Sequence, residues 1–122
     1  GMIWGAVNFM PHECVNLFNL IDEKKYQEAL ELWKLMEPVC LWLGGNRHDV
    51  DYLTGIKAAT NLSGRNMGPP RKPLPSAPAP ARHDLRIAMS KLPINHTTNN
   101  RLVWRDWQEE RDWLIQSTIR KN

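Results

Sequence analysis

Six of the nine prolines fall between residues 64 and 81, at Pro69, Pro70, Pro73, Pro75, Pro78 and Pro80. Proline has no backbone N–H, and its ring collides with the preceding helical turn, so a helix cannot run through such a stretch. The segment reads as extended and semi-rigid. Any helix before it must stop near Gly64, and any helix after it must restart past Ala81.

The flanking sequence is helix-patterned. Pro11 suits the first turn of a helix over residues 11–21, with Glu13 in the N-terminal turn and Val15, Phe18 and, less clearly, Leu17 and Ile21 on one apolar side. Asp22 is placed to cap a second helix over about 23–43. There Tyr26, Ala29, Leu30, Trp33, Leu35, Met36, Cys40 and Leu43 recur at steps of three and four, and Pro38 predicts a kink. A third helix spans about 49–63, with Tyr52, Leu53, Ile56, Ala59 and Leu62 apolar and Gly64 as its stop. A short fourth helix covers about 82–92. A last one, about 101–119, carries Trp104, Trp107 and Trp113 among alternating charges. The apolar segment Met2–Val7 is a buried strand or a disordered lead-in. The pattern predicts an all-α bundle of about five helices with an orphan strand-like N-terminal segment. Residues 1–92 form the main helical region, with a proline-rich linker at 65–81, and 93–122 add a loop and a tryptophan-rich helix.

At 122 residues, one core is expected. The formal net charge of +3 is mild and spread along the chain, which does not call for nucleic acid. The apolar runs fall short of the roughly 20 residues that span a bilayer, and the N-terminus lacks a secretory-signal pattern. Gly1 before Met2 reads as a remnant of tag removal. Cys14 and Cys40 have no framework spacing and read as free thiols in a cytoplasmic protein.

Several constellations compete with simpler explanations. His12, Cys14, Cys40 and His48 contain zinc-ligand types, but zinc needs ligands delivered to one tetrahedral point, and only His12 and Cys14 are close in sequence. Buried thiols and surface histidines are the preferred reading, and no metal or cofactor is expected. Gly64-Arg65-Asn66-Met67-Gly68 has the glycines of a phosphate cradle without the strand–loop–helix context, so a helix stop running into a loop is preferred. Lys57, flanked by Gly55, Ile56, Ala58 and Ala59, has the setting of a desolvated Schiff-base lysine. A snorkelling helix lysine is the plainer reading. The tryptophans invite base stacking. Trp33 and Trp42 occupy core-compatible helix positions, however, and Trp104, Trp107 and Trp113 alternate with Asp106, Glu109, Glu110 and Asp112, which repel phosphates. A helix face that packs on a partner helix fits better.

Four stretches together carry a resemblance: Gly1-Met2-Ile3-Trp4 leading to Asn8-Phe9-Met10-Pro11; Tyr26-Gln27-Glu28-Ala29-Leu30-Glu31-Leu32 with Pro38; Tyr52 through Gly64; and Met67-Gly68-Pro69-Pro70-Arg71-Lys72-Pro73-Leu74-Pro75. In this order they resemble the C-terminal part of the dihydrodipicolinate synthase / N-acetylneuraminate lyase family, over about residues 1–92. The resemblance implies a class I, Schiff-base lyase acting on pyruvate-type keto acids, built on a (β/α)₈ barrel with appended helices. It makes Met2–Val7 similar to the eighth barrel strand and 11–21 to the eighth barrel helix. It also gives Ile3 a position whose backbone faces the substrate pocket. Trp4 departs from the small residue that the family places there.

The family's tyrosine motif, its Schiff-base lysine and its Thr-Thr carboxylate loop are not among these 122 residues. Lys57 falls in the appended helices and is not the Schiff-base lysine, so no catalytic residue is assigned. The expectation is therefore a helical fragment, inactive alone, that self-associates as a homo-oligomer through apolar faces with Trp104, Trp107 and Trp113 in the contact. Two alternatives stand beside it. One is a subunit completing a split lyase with a companion chain that carries the first seven barrel units. The other is a helical regulatory or assembly module. No nucleic acid or membrane partner is expected.

Overall fold

The computed structural model describes residues 1–44, 49–93 and 107–121, with side chains in the last group described from Arg111 to Arg120. Five α-helices occur among them: α1, Pro11–Asp22; α2, Tyr26–Gly44; α3, Tyr52–Leu62; α4, Ala79–Ser90; and α5, Trp107–Lys121. No strand is present among the described residues. The architecture is all-α, as the pattern predicts.

The N-terminal segment differs from the strand-like expectation. Gly5–Asn8 closes into a 3₁₀ turn. Val7 N–H donates to the Trp4 carbonyl at 3.2 Å, and Met10 N–H to Ala6 at 3.0 Å. A strand needs neighbours for its backbone groups; among the described residues none lies beside this segment, and the chain satisfies those groups locally. Gly5 sits so close to α3 that an added Cβ would lie 2.5 Å from Ile56 Cδ1. Trp4 lies on α2, its ring centroid 6.3 Å from that of Trp33.

Pro11 stands in the first turn of α1, where its missing N–H costs nothing. The buried side of α1 is not the one expected. Glu13 and Cys14 are buried and Leu17 and Leu20 half-buried, whereas Val15, Phe18 and Ile21 are exposed. Apolar residues cover more than half of this helix's circumference, with His12, Asn16 and Asn19 on the remaining side, so periodicity alone does not fix which part of that broad face meets the core. Asp22 does not cap α2; it is the last residue of α1. The turn that follows is closed by Lys25 N–H to the Leu20 carbonyl (2.8 Å) and Lys24 N–H to Ile21 (3.0 Å), with Lys24 at φ 60°.

α2 continues through Pro38. Its core stripe is Ala29, Leu32, Met36, Val39 and Leu43, at unbroken steps of three and four. Tyr26, Leu30 and Leu35, expected in that stripe, are exposed instead. The second helix has apolar residues on more than one side, as the first does, and only tertiary contact selects among them.

Asp51 caps α3, its side chain accepting from Leu53 N–H at 2.9 Å. Gly55 on α3 faces α2 so tightly that a Cβ there would lie 2.9 Å from the Trp42 ring. Gly64 ends the helix at φ 97°, with Arg65 N–H bonded to the Thr60 carbonyl at 3.2 Å. Met10, Cys14, Met36, Val39, Leu85 and Met89 form the fully buried centre, where α1, α2 and α4 meet. α4 begins at Ala79, three residues earlier than its pattern indicates, because Pro80 is tolerated in a first turn.

Candidate functional site

The extended segment between α3 and α4 is pinned by one face of α3. A proline-rich backbone offers carbonyls but few N–H groups, so what packs on it must supply donors. Thr54, Lys57 and Asn61 lie three and four residues apart and share a helix face. Thr54 Oγ1 donates to the Pro75 carbonyl at 3.1 Å, Lys57 Nζ to Pro69 at 3.2 Å, and Asn61 Nδ2 to Gly68 at 3.1 Å. Asn61 Oδ1 also accepts the Met67 N–H at 2.7 Å. From α4, Arg82 Nη1 donates to the Ala77 carbonyl.

Held off the helices in this way, the segment roofs a cavity of about 280 Å³. Its lining includes Thr54, Lys57 and Asn61 from α3, Asn66 and Ser76 from the segment, and Arg82 and Arg86 from α4. Arg86 and Thr54 are buried, at 4% and 2% exposure. Among the described residues the lining holds three basic side chains and no carboxylate, and Arg82 and Arg86 have further partners of their own. The walls offer polar groups from α3, α4 and the segment, and among the described residues they bring together no nucleophile with an adjacent base.

The residues singled out from sequence are dispersed. Ile3 lies ahead of the 3₁₀ turn, fully exposed and outside the cavity lining. Trp113 is half-buried against α4 of its own chain, with its ring centroid 5.4 Å from that of His83. Trp107 opens α5 with its side chain outside the described residues, and Trp104 also lies outside them. Lys57 serves the Pro69 carbonyl. Of the zinc-type residues, His12 is exposed, Cys14 buried and Cys40 half-buried, while His48 is outside the described set. Among the described residues no three His, Cys, Asp or Glu side chains converge on a metal position, and no helix is long and apolar enough to cross a membrane. Burial, then the neighbouring Glu13, pushes the Cys14 thiol up to about 11. Burial, then Cys14 and Glu37, pushes Cys40 up to about 12. Both shifts disfavour the thiolate, the nucleophilic form, at neutral pH.

Sequence reasoning missed Thr54, Asn61, Arg82 and Arg86. The available signal was polar residues at helical spacing on α3, directly preceding a donor-poor proline segment.

No family model matches the chain, and no solved structure does. A curated protein described as an uncharacterized DapA-like lyase, from Pyrobaculum arsenaticum, is 31% identical over 97 residues, which is 75% of this chain. The match takes in 32% of that protein, so the chain spans about a third of the length of the curated relative it matches. The similarity is distant and supports the DapA-like lyase family at most. It agrees with the family resemblance seen in the motifs.

Proposed function

We propose that the chain is the C-terminal helical part of a DapA-like lyase, without catalytic activity of its own, and that it self-associates through apolar helix faces. The single observation that carries the self-association is the exposure of Val15, Phe18 and Ile21 on α1 together with Tyr26, Leu30 and Leu41 on α2. Apolar side chains gathered on such faces favour a second surface over water. The distant similarity to a DapA-like lyase supports the family part of the reading. Free Cys14 and Cys40 accord with a cytoplasmic location.

Light scattering on the purified chain tests this reading directly: a homo-oligomer is expected, and a monomer across the accessible concentration range would refute it. Treatment with pyruvate and borohydride should leave the chain unmodified. A trapped adduct on Lys57 would overturn the assignment of no catalytic residue.

A second reading is favoured by the fraction of the relative that is matched. A chain spanning 32% of a lyase is the size of a piece that completes a companion carrying the remainder. In that case the same α1 and α2 faces cover the companion, and lyase activity on a pyruvate-type keto acid arises on mixing the two. The discriminating experiment is co-expression with a companion chain encoded beside this one.

A further inference from the structure

We propose that Met10 and Cys14 on one side of the α1–α2 hairpin, with Met36 and Cys40 on the other, form an all-sulfur site for a soft monovalent cation, copper(I). The inference rests on the hairpin alone and stands whether or not the lyase reading holds.

Three features carry it. The first is a repeated spacing. Met10-Pro11-His12-Glu13-Cys14 and Met36-Glu37-Pro38-Val39-Cys40 each set a thioether four residues ahead of a thiol. Residues so spaced share a helix face, and in α1 the Cys14 N–H donates to the Met10 carbonyl at 3.1 Å. The second is register. Only Glu23, Lys24 and Lys25 separate α1 from α2, and the two helices pack as the arms of a hairpin. Counted outward from that turn, Cys14 falls nearly level with Met36, and Met10 nearly level with Cys40. The two pairs therefore meet head to tail, each methionine across from the other helix's cysteine. The third is burial. Met10, Cys14 and Met36 are 0% exposed within one packed cluster, and half-buried Cys40 packs against it. Charge on Cys14 is felt at Cys40, so the two thiols lie within electrostatic reach of each other.

Taken singly, methionine and cysteine are ordinary core residues. Here both cysteines of the chain arrive together, each with a thioether one turn away. Thiolate and thioether sulfurs are soft donors that suit copper(I), whereas harder ions take imidazole and carboxylate oxygen. Among the described residues no three His, Cys, Asp or Glu side chains converge, so sulfur is what this interface offers. Both cysteines are free thiols. On binding, each Sγ passes its proton to water and gives an electron pair to the ion, which stays copper(I). The methionine sulfurs give electron pairs and have no proton to lose. Cys40, at the half-exposed edge, is the point of entry, and the bound ion ties α1 to α2.

The test is anaerobic titration of the reduced full chain with copper(I), supplied as its acetonitrile complex, against the chromophoric chelator bicinchoninate. One ion per chain should leave the chelator, and X-ray absorption at the copper edge should show sulfur neighbours alone. Cys14→Ala and Cys40→Ala should each weaken binding by about a hundredfold or more, since even a supporting partner of a metal site is worth ten- to a hundredfold. Met36→Leu conserves volume and so retains the fold; it should weaken binding about tenfold, the lower end of that range. Circular dichroism and urea unfolding verify that each variant folds, and half-buried Cys40 with Met36 keeps the test open should Cys14→Ala fail to do so. Copper that stays with the chelator, affinity undiminished in Cys40→Ala, or a nitrogen neighbour from a histidine such as exposed His12 would each overturn the proposal.

Discussion

Lys24 and Gly64 occupy the same position in two copies of one helix-ending motif. Each follows a helix in the left-handed region, at φ 60° and 97° respectively. In each case the next residue donates its N–H five residues back, from Lys25 to Leu20 and from Arg65 to Thr60. Glycine adopts this conformation freely, whereas a residue with a Cβ meets its own backbone there. Lys24→Gly is therefore expected to stabilise the chain by about 1 kcal/mol, and Gly64→Ala to destabilise it by about the same amount. Urea unfolding of the two variants beside the parent checks both signs at once.

The proline-rich segment depends on Asn61 more than on any other single side chain, since Asn61 both donates to the Gly68 carbonyl and accepts the Met67 N–H. Removing it leaves two backbone groups without their partners, at a cost of about 1 kcal/mol each when they are not re-hydrated. Because Met67 is exposed, water can replace part of the loss. Asn61→Ala should thus speed amide exchange at Met67 strongly while lowering global stability by about 1 kcal/mol. Exchange unchanged at Met67 would show that the segment is held elsewhere.

What the sequence discloses about this fold is the local part. Pro11 at a first turn, Gly64 at a helix end and the proline cluster each impose a conformation on a few residues, so the breaks between helices and the all-α class could be read directly. Faces were harder to read. Val15 and Phe18 look like core on spacing, yet Glu13 and Cys14 are buried in their place, and of the expected side Leu17 alone is half-buried. The choice depends on where α2 lies, which no window of α1 encodes. Asp22 has a capping side chain, but the Lys24 turn ends one helix and begins the next without using it. The cavity was hidden for the same reason. Lys57 and Arg86 come together only because an intervening segment folds back over α3, and that depends on hydrogen bonds spanning up to 21 residues, as between Thr54 and Pro75.

The two thiols give the chain an alkaline limit. Burial raises Cys14 to about 11 and Cys40 to about 12 from an ordinary 9.0. In the unfolded chain both ionise near their ordinary value, while the folded chain keeps its protons. The unfolded state therefore binds fewer protons between those limits, and stability falls as pH rises. The contribution is fully present below about pH 9 and is lost progressively towards pH 11 and 12. Unfolding free energies measured at rising pH should decline more steeply for the parent than for a Cys14→Ala, Cys40→Ala double variant. Equal slopes would mean that the thiols ionise normally in the folded chain. Alkylation of the native protein near neutral pH should likewise be slow, and fast after unfolding.

Phe18 decides between a solvated and a covered α1. It is 41% exposed, with Val15 and Ile21 more exposed on the same helix, so a charge at this position does not enter the core. If these side chains meet a second copy, Phe18→Glu places a carboxylate in an apolar contact, and desolvating it there costs several kcal/mol. The expected outcome is a shift from oligomer to monomer in light scattering, with helical content and urea midpoint held near the parent's. Trp113→Ala serves as the contrast. Trp113 packs against His83 within its own chain, so its loss should loosen α5 from α4 and lower stability by about 1–2 kcal/mol through lost aromatic packing, with the molar mass unchanged. A parent and a Phe18→Glu variant of equal mass would remove α1 from the contact. A mass change in Trp113→Ala alone would move the contact to the C-terminal helix, where the tryptophan pattern first pointed.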